Sequence, residues 1–193
     1  MRAILLIVAA MVACPPQCMA GEGGPHVTYH DRFVAAGYIG NTGGEGLGLY
    51  LVATGSVHGL LLAFKGNLGG YEGDTYYERL SYHKVAQWGD KMIDESIAIR
   101  TAEIAYGYRL TQWLFTYAGF GSTTYTCFRE HLDPSYILGI HGRYWISYSP
   151  KNHREFGVVC GGLFFLDRSL HLVIGYQSEP AGANFGLGWA WGV

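Results

Sequence analysis

Residues Asn184 to Val193 read NFGLGWAWGV, a period of two without exception. Phe185, Leu187, Trp189, Trp191 and Val193 point one way, and Asn184, Gly186, Gly188, Ala190 and Gly192 the other, because successive side chains of a strand alternate faces. A soluble strand sets an apolar face on a core and a polar face in water. Here the face opposite the bulky residues carries little beyond Gly and Ala, which suits a narrow, crowded interior. The pattern predicts a strand whose Phe185, Leu187, Trp189 and Trp191 form part of a lipid-facing belt. A soluble sandwich strand, which also alternates, is the rival reading.

At the other end of the chain, Arg2 precedes an apolar run from Ala3 to Cys14, followed by Pro15-Pro16-Gln17-Cys18-Met19-Ala20. One cation, about a dozen apolar residues and a small residue make a secretory signal peptide over 1–20, too short for a spanning helix. Met11-Val12-Ala13-Cys14 also resembles a lipobox, which would place a lipid on Cys14. Residues 21–193 are then one domain.

Gly accounts for 29 of 193 residues, while charged residues and aromatic residues are 15% each. The charged share is well below the roughly 25% of average soluble domains. Past the leader no apolar run approaches ~20 residues, so a membrane-spanning chain of this composition must close a β-barrel, which satisfies every backbone group in lipid. A formal net charge of -2 argues against a nucleic-acid partner. Cys127 and Cys160 are expected to be unpaired thiols.

Eight strand candidates follow in order: Phe33 to Asn41, Gly46 to Thr54, Val57 to Gly66, Ile97 to Leu110, Trp113 to Thr126, Phe156 to Leu166, Leu170 to Gln177 and Asn184 to Val193. The faces of the first are undecided, since both are apolar. The remaining strands set Leu47, Leu49 and Leu51 against Gly48 and Tyr50, and Ile104, Tyr106 and Tyr108 against Glu103, Ala105 and Gly107. Gly55-Ser56, Thr111-Gln112 and Asp167-Arg168-Ser169 are short turns that all fall on one side of the count. Asn67 to Ser96 and Cys127 to Glu155 are long interruptions that both fall on the other, with Ile137 to Tyr148 a candidate protruding hairpin. Short turns at one end and long loops at the other are the outer-membrane pattern.

The leader, the hairpin IAIRTAEIAYGYRLTQWLFTYAGFG (Ile97 to Gly121), the run GVVCGGLFFLDRSLHLVIGYQS (Gly157 to Ser178) and the final FGLGWAW together resemble the small eight-stranded outer-membrane β-barrel proteins, the group that includes OmpA-, OmpX- and opacity-like barrels. The resemblance covers nearly all of the mature chain. It implies an all-β, eight-stranded antiparallel transmembrane barrel with short periplasmic turns and two long outer loops. The chain's end departs from the group, whose last residue is typically aromatic, in closing on Trp191-Gly192-Val193. The implied setting is a Gram-negative outer membrane, with membrane lipid and the insertion machinery as partners, an unknown extracellular partner possible at the loops, and a monomeric state.

The inner faces carry Lys65, Glu103, Arg109 and His171. Charges inside so narrow a barrel must pair, so Lys65, Glu103 and Arg109 are expected to form a structural network. The other histidines lack metal-ligand spacing, so no metal is expected. Gly37 to Gly48 (GYIGNTGGEGLG) lacks the ending of a phosphate loop, and no cofactor is expected. Lipid-modifying barrel enzymes would need a His beside a Ser with a third partner, and the pairs His171 with Ser169 and His83 with Ser81 lack one. The expected function is non-enzymatic: envelope structure or surface contact through the long loops. A secreted lipocalin-like barrel with an apolar ligand inside is the alternative, and a small lipid-modifying enzyme comes third.

Overall fold

A computed structural model describes residues 32–44, 46–67 and 75–192. The predicted leader, Cys14 and Val193 lie outside them. Among the described residues there are ten strands: β1 Phe33–Asn41, β2 Gly46–Thr54, β3 His58–Gly66, β4 Thr75–Tyr76, β5 Lys91–Arg109, β6 Leu114–Leu132, β7 Arg143–Ser147, β8 His153–Phe165, β9 Leu170–Ser178 and β10 Ala181–Gly192, with a helix α1 over Tyr82–Trp88. Eight of them close a barrel. β1 pairs antiparallel with β2 and with β10, running from Phe33↔Gly192 to Asn41↔Asn184, while β6 pairs with both β5 and β8. Closure leaves no edge among these eight, which is what allows such a sheet to stand in a solvent that offers no hydrogen bonds.

The three short connections lie at one end, here the turn end. Backbone hydrogen bonds close them from Gly55 to His58, from Thr111 to Leu114 and from Leu166 to Leu170, at 2.7, 3.2 and 2.9 Å. Asp167 ties down the last by accepting the amides of Ser169 and Leu170, each at 2.7 Å.

Every barrel strand alternates. Leu47, Leu49, Leu51, Leu60, Phe64, Ile104, Tyr106, Phe120, Phe156, Ile174, Phe185, Leu187, Trp189 and Trp191 point out of the barrel, while Ala35, Ile39, Val52, Leu61, Ala63, Ala105, Phe115, Tyr117, Leu163 and Val173 are buried inside. The undecided β1 therefore turns Phe33, Ala35 and Ile39 inward and Tyr38 outward.

β8 and β10 each begin three residues before their expected starts, at His153 and Ala181, and two strands extend further still. β5 begins at Lys91 rather than Ile97, and β6 runs to Leu132 rather than Thr126, so the hairpin continues past the barrel as a ribbon. Polar and charged residues on both faces conceal this stretch in the sequence, since a ribbon outside the barrel has no single buried side. The expected arm also differs: β7 pairs with the end of β6, from Phe128↔Ser147 to Leu132↔Arg143, so the hairpin is formed between 128–132 and 143–147 rather than within Ile137 to Tyr148.

Candidate functional site

The polar interior is built where β3, β5, β9 and β10 face one another. Lys65 points inward from β3, and Gly48, its cross-strand partner, leaves room for its stem, since an added Cβ would lie 2.7 Å from Lys65 Cγ. Its ammonium donates to Glu103 Oε1 at 2.7 Å, to Asn184 Oδ1 at 3.0 Å and to Gln177. Three protons meet three oxygens. Both charged side chains are essentially inaccessible, at 0% and 2%, so the pair is tolerated only because the ammonium is fully matched; Glu103 Oε2 and Asn184 Nδ2 find no hydrogen-bond partner among the described residues. Thr101 and Thr123, cross-strand partners on β5 and β6, share a hydrogen bond at 2.8 Å in the next inward layer.

Arg109, expected in the same network, is placed elsewhere. It lies six residues beyond Glu103 on β5, about 20 Å along a strand, and its guanidinium sits 5.2 Å from the ring centroid of Phe33. No side chain spans that gap, so Gln177 and Asn184 take the position that charge-pairing alone would have assigned to Arg109. Sequence reasoning missed both amides because an inward Gln or Asn reads like any polar residue near a strand end. At the turn end, Phe33 packs edge-on against Phe115 and Phe165, with centroids at 5.9 and 5.0 Å, and closes the barrel floor.

His171 is fully buried, and its Nε2 lies 2.5 Å from the Tyr50 hydroxyl while Nδ1 is 3.4 Å from the carbonyl of Ser169. The Ser169 side chain is not its partner in these bonds. Among the described residues no group of three or more His, Cys, Asp or Glu side chains forms a metal cluster. Cys127 and Cys160 are both free, the first buried in the loop-end ribbon and the second on the outward face of β8.

At the loop end, β4, α1, β7 and the extended β5–β6 ribbon form an arm with its own packing. Ala98, Phe128 and Trp145 make one apolar cluster with Tyr76, and Val85 of α1 joins Tyr144 and Ile146 in a second. Polar contacts lock the ribbon. Arg143 forks onto Glu130 at 2.7 and 2.9 Å, Arg129 bonds Glu95 at 2.8 Å and stacks 3.3 Å over Tyr148, and Lys151 bonds Glu95 from the other side. These two cations, Lys151 first and Arg129 second, hold the Glu95 carboxyl below its ordinary range.

The tip is organised by Asp133, which accepts the amides of Ser135, Ile137 and Leu138 at 2.7, 2.8 and 3.0 Å. Those amides, that of Leu138 foremost, hold its carboxyl low. Tyr136 and His141 adopt left-handed backbone conformations, with φ of 55° and 54°. Tyr136, Ile137 and Ile140 stand in solvent, with Ile137 80% exposed, and Trp88 stands across a depression of 330 Å³ from Ile137 and Pro134. The expected long loops thus contain this arm.

No family model and no curated protein sequence matches the chain. Solved structures do. The attachment invasion locus protein Ail of Yersinia pestis aligns over 85% of this chain and 100% of its own at 12% identity, with a TM-score of 0.51. The fold is that of the small outer-membrane barrels. A major outer membrane protein of Thermus thermophilus aligns over 83% of this chain and 98% of its own at 15% identity and a TM-score of 0.42, and Neisserial surface protein A over 82% and 92% at 11% and 0.32.

Proposed function

We propose that the chain is a non-enzymatic outer-membrane protein, a barrel that resides in lipid and presents the loop-end arm as a contact surface. The observation that carries the reading is the outward wall. On most of the barrel strands Leu, Ile, Val, Phe, Tyr and Trp stand exposed at outward positions, Leu47, Leu49 and Leu51 on β2 and Phe185, Leu187, Trp189 and Trp191 on β10 among them, while β6 sets Phe120 among Thr116, Ala118 and Ser122 and the barrel interior holds the ion pair and the polar layer. That inversion costs free energy in water and is favourable in hydrocarbon. Trp113, Trp189 and Trp191 lie toward the turn end and Phe64 and Phe156 toward the loop end, consistent with aromatic girdles at two interfaces. The lipid-facing belt of Phe185, Leu187, Trp189 and Trp191 belongs to this wall.

The lipocalin-like alternative is weaker on a specific observation. It needs an apolar void inside, yet Phe115, Tyr117, Leu61, Leu163, Tyr50 and His171 fill the interior. The surface role is supported by the arm's tip, where Tyr136, Ile137 and Ile140 are exposed on a loop that Asp133 holds in shape. A pre-shaped apolar tip loses little entropy on docking.

The test is cell fractionation followed by gel mobility with and without boiling, combined with protease treatment of intact cells. Recovery with outer membranes, a mobility shift on boiling, and cleavage in the arm but not at Thr111-Gln112 or Asp167-Arg168-Ser169 are expected. Recovery as a soluble secreted species would reject the reading.

A further inference from the structure

We propose that Arg100 and Arg154 form an outward-facing site for a phosphate-bearing lipid headgroup at the loop-end edge of the apolar wall, an inference that rests on the membrane reading above. The register brings the two together: Arg100 of β5 pairs with Thr124 of β6, and Thr124 pairs with Arg154 of β8. Two strand spacings of ~4.8 Å put their Cα atoms about 10 Å apart. Both arginines line one depression of 410 Å³ on the outer wall, with Phe64, Ala102, Ser122 and Thr124. Thr124 orients one of them, accepting from Arg154 Nε at 3.4 Å, and the buried hydroxyl of Ser122 finds no partner among the described residues.

Height selects the ligand. Arg100 stands nine residues above Arg109, the turn-end residue of β5. At ~3.3 Å per residue and a tilt of about 40°, that is roughly 23 Å along the barrel axis, against an apolar band ~25 Å tall. Directly below, the next outward row reads Ala102, Ser122 and Phe156, and the one after it Ile104, Phe120 and Val158. The arginines therefore mark the first charged outward row above that wall, at the depth of headgroups. Their stems can lie along apolar surface while the guanidinium forks face the interface, and that fork fits phosphate oxygens in pairs. The neighbouring carboxylates turn away: Glu103 faces Lys65 inside the barrel, and Glu155, on the opposite face from Arg154, lies 3.7 Å from His153. Two cations that share a depression and have no carboxylate partner among the described residues recognise phosphate, whether on a lipid or free in solution, and the position favours the lipid.

The full chain, refolded in detergent with equimolar phosphatidic acid and phosphatidylcholine, is examined by native mass spectrometry for retained lipid. Preferential retention of phosphatidic acid by roughly fivefold or more is expected, with loss of that preference in the R100Q/R154Q double variant and partial recovery in R100K/R154K, which restores charge without the fork. R168Q, at an exposed turn-end position, should retain the preference. Equal retention of both lipids by a chain that still shows its mobility shift on boiling overturns the headgroup site and leaves the membrane reading intact. Failure of the chain to refold into detergent or lipid at all sinks the membrane reading first. Complete displacement of the lipid by millimolar inorganic phosphate would assign the site to a free anion and overturn the lipid source.

Discussion

The Tyr50 hydroxyl and His171 Nε2 meet 2.5 Å apart across the interior, and the contact passes over Gly37 and Gly188. A Cβ on Gly188 would collide with that hydroxyl and stand 2.9 Å from Nε2, and one on Gly37 would stand 2.7 Å from the hydroxyl. The bare face of β10 is the space the pair occupies.

Gly188→Leu should therefore destabilise more than Trp189→Ala, although the second removes far more side chain. Overpacking costs ~1 to 3 kcal/mol or more where backbone is also in the way, and Ala36 O would lie 2.6 Å from the new Cβ. Lipid refills the outward space that a lost ring leaves. Reversible unfolding in lipid vesicles measures both; an alanine variant clearly worse than the leucine one would make Trp189 a core residue.

Removing one partner of the buried pair should be worse than removing both. Glu103→Gln or Lys65→Met alone leaves an unmatched polar group or charge inside and is expected to cost about 3 to 5 kcal/mol, whereas the double variant Lys65→Met with Glu103→Leu should recover much of that loss. The same unfolding measurement closes the cycle, and additive losses would refute the coupling. Arg109→Ala is expected to add nearly independently, because its contact is with Phe33.

The arm should loosen in two steps as pH falls. His131 is buried in it, and burial holds its imidazole below the ordinary value. A depressed value means the contribution is whole above about 6.5 and is lost as pH drops through the folded value. Asp133 and Glu95 are depressed too, so theirs is whole above about 4 and goes only below it. Amide exchange at Ile137 and Leu138, corrected for intrinsic rate, should report the second step, and His131→Gln should abolish the first without moving the second.

A barrel floor of Phe33, Phe115 and Phe165 beneath a buried ion pair should pass no steady ion current in a planar bilayer. Phe115→Ala should cost about 3 to 5 kcal/mol of stability. Discrete channel openings in the unaltered protein would contradict the packed interior.

Most of the barrel was legible from alternation. Phe33–Asn41 and Gly46–Thr54 have the bounds the sequence suggests, and Leu170–Ser178 differs by one residue. Period two is imposed directly by one apolar surrounding, so it is written wherever a strand crosses it. The interior network was half legible. Lys65 and Glu103 announce themselves as charges on an inner face, but Gln177 and Asn184 are identified only by the closure that brings β9 and β10 opposite β3. Arg109 was misplaced because shared facing says nothing about height along the axis. The arm was illegible in its particulars because β5 and β6 cease to alternate above the barrel, and its order depends on contacts between distant segments, such as Val85 with Tyr144.

β5 and β6 run for 19 residues each, pairing without a register shift from Asp94↔Glu130 down to Arg109↔Phe115. No joint separates the part inside the wall from the part above it. The ribbon of the arm therefore inherits its bearing from the barrel, and a change in the barrel's inclination, for example in a thinner bilayer, swings its tip through the same angle. At ~3.3 Å per residue the ribbon from Thr101 to Lys91 acts as a pointer about 30 Å long, so an inclination of about 20° displaces its end by roughly 10 Å. For a barrel resident in lipid, as proposed above, membrane thickness thus becomes a variable that sets where Ile137 can be met.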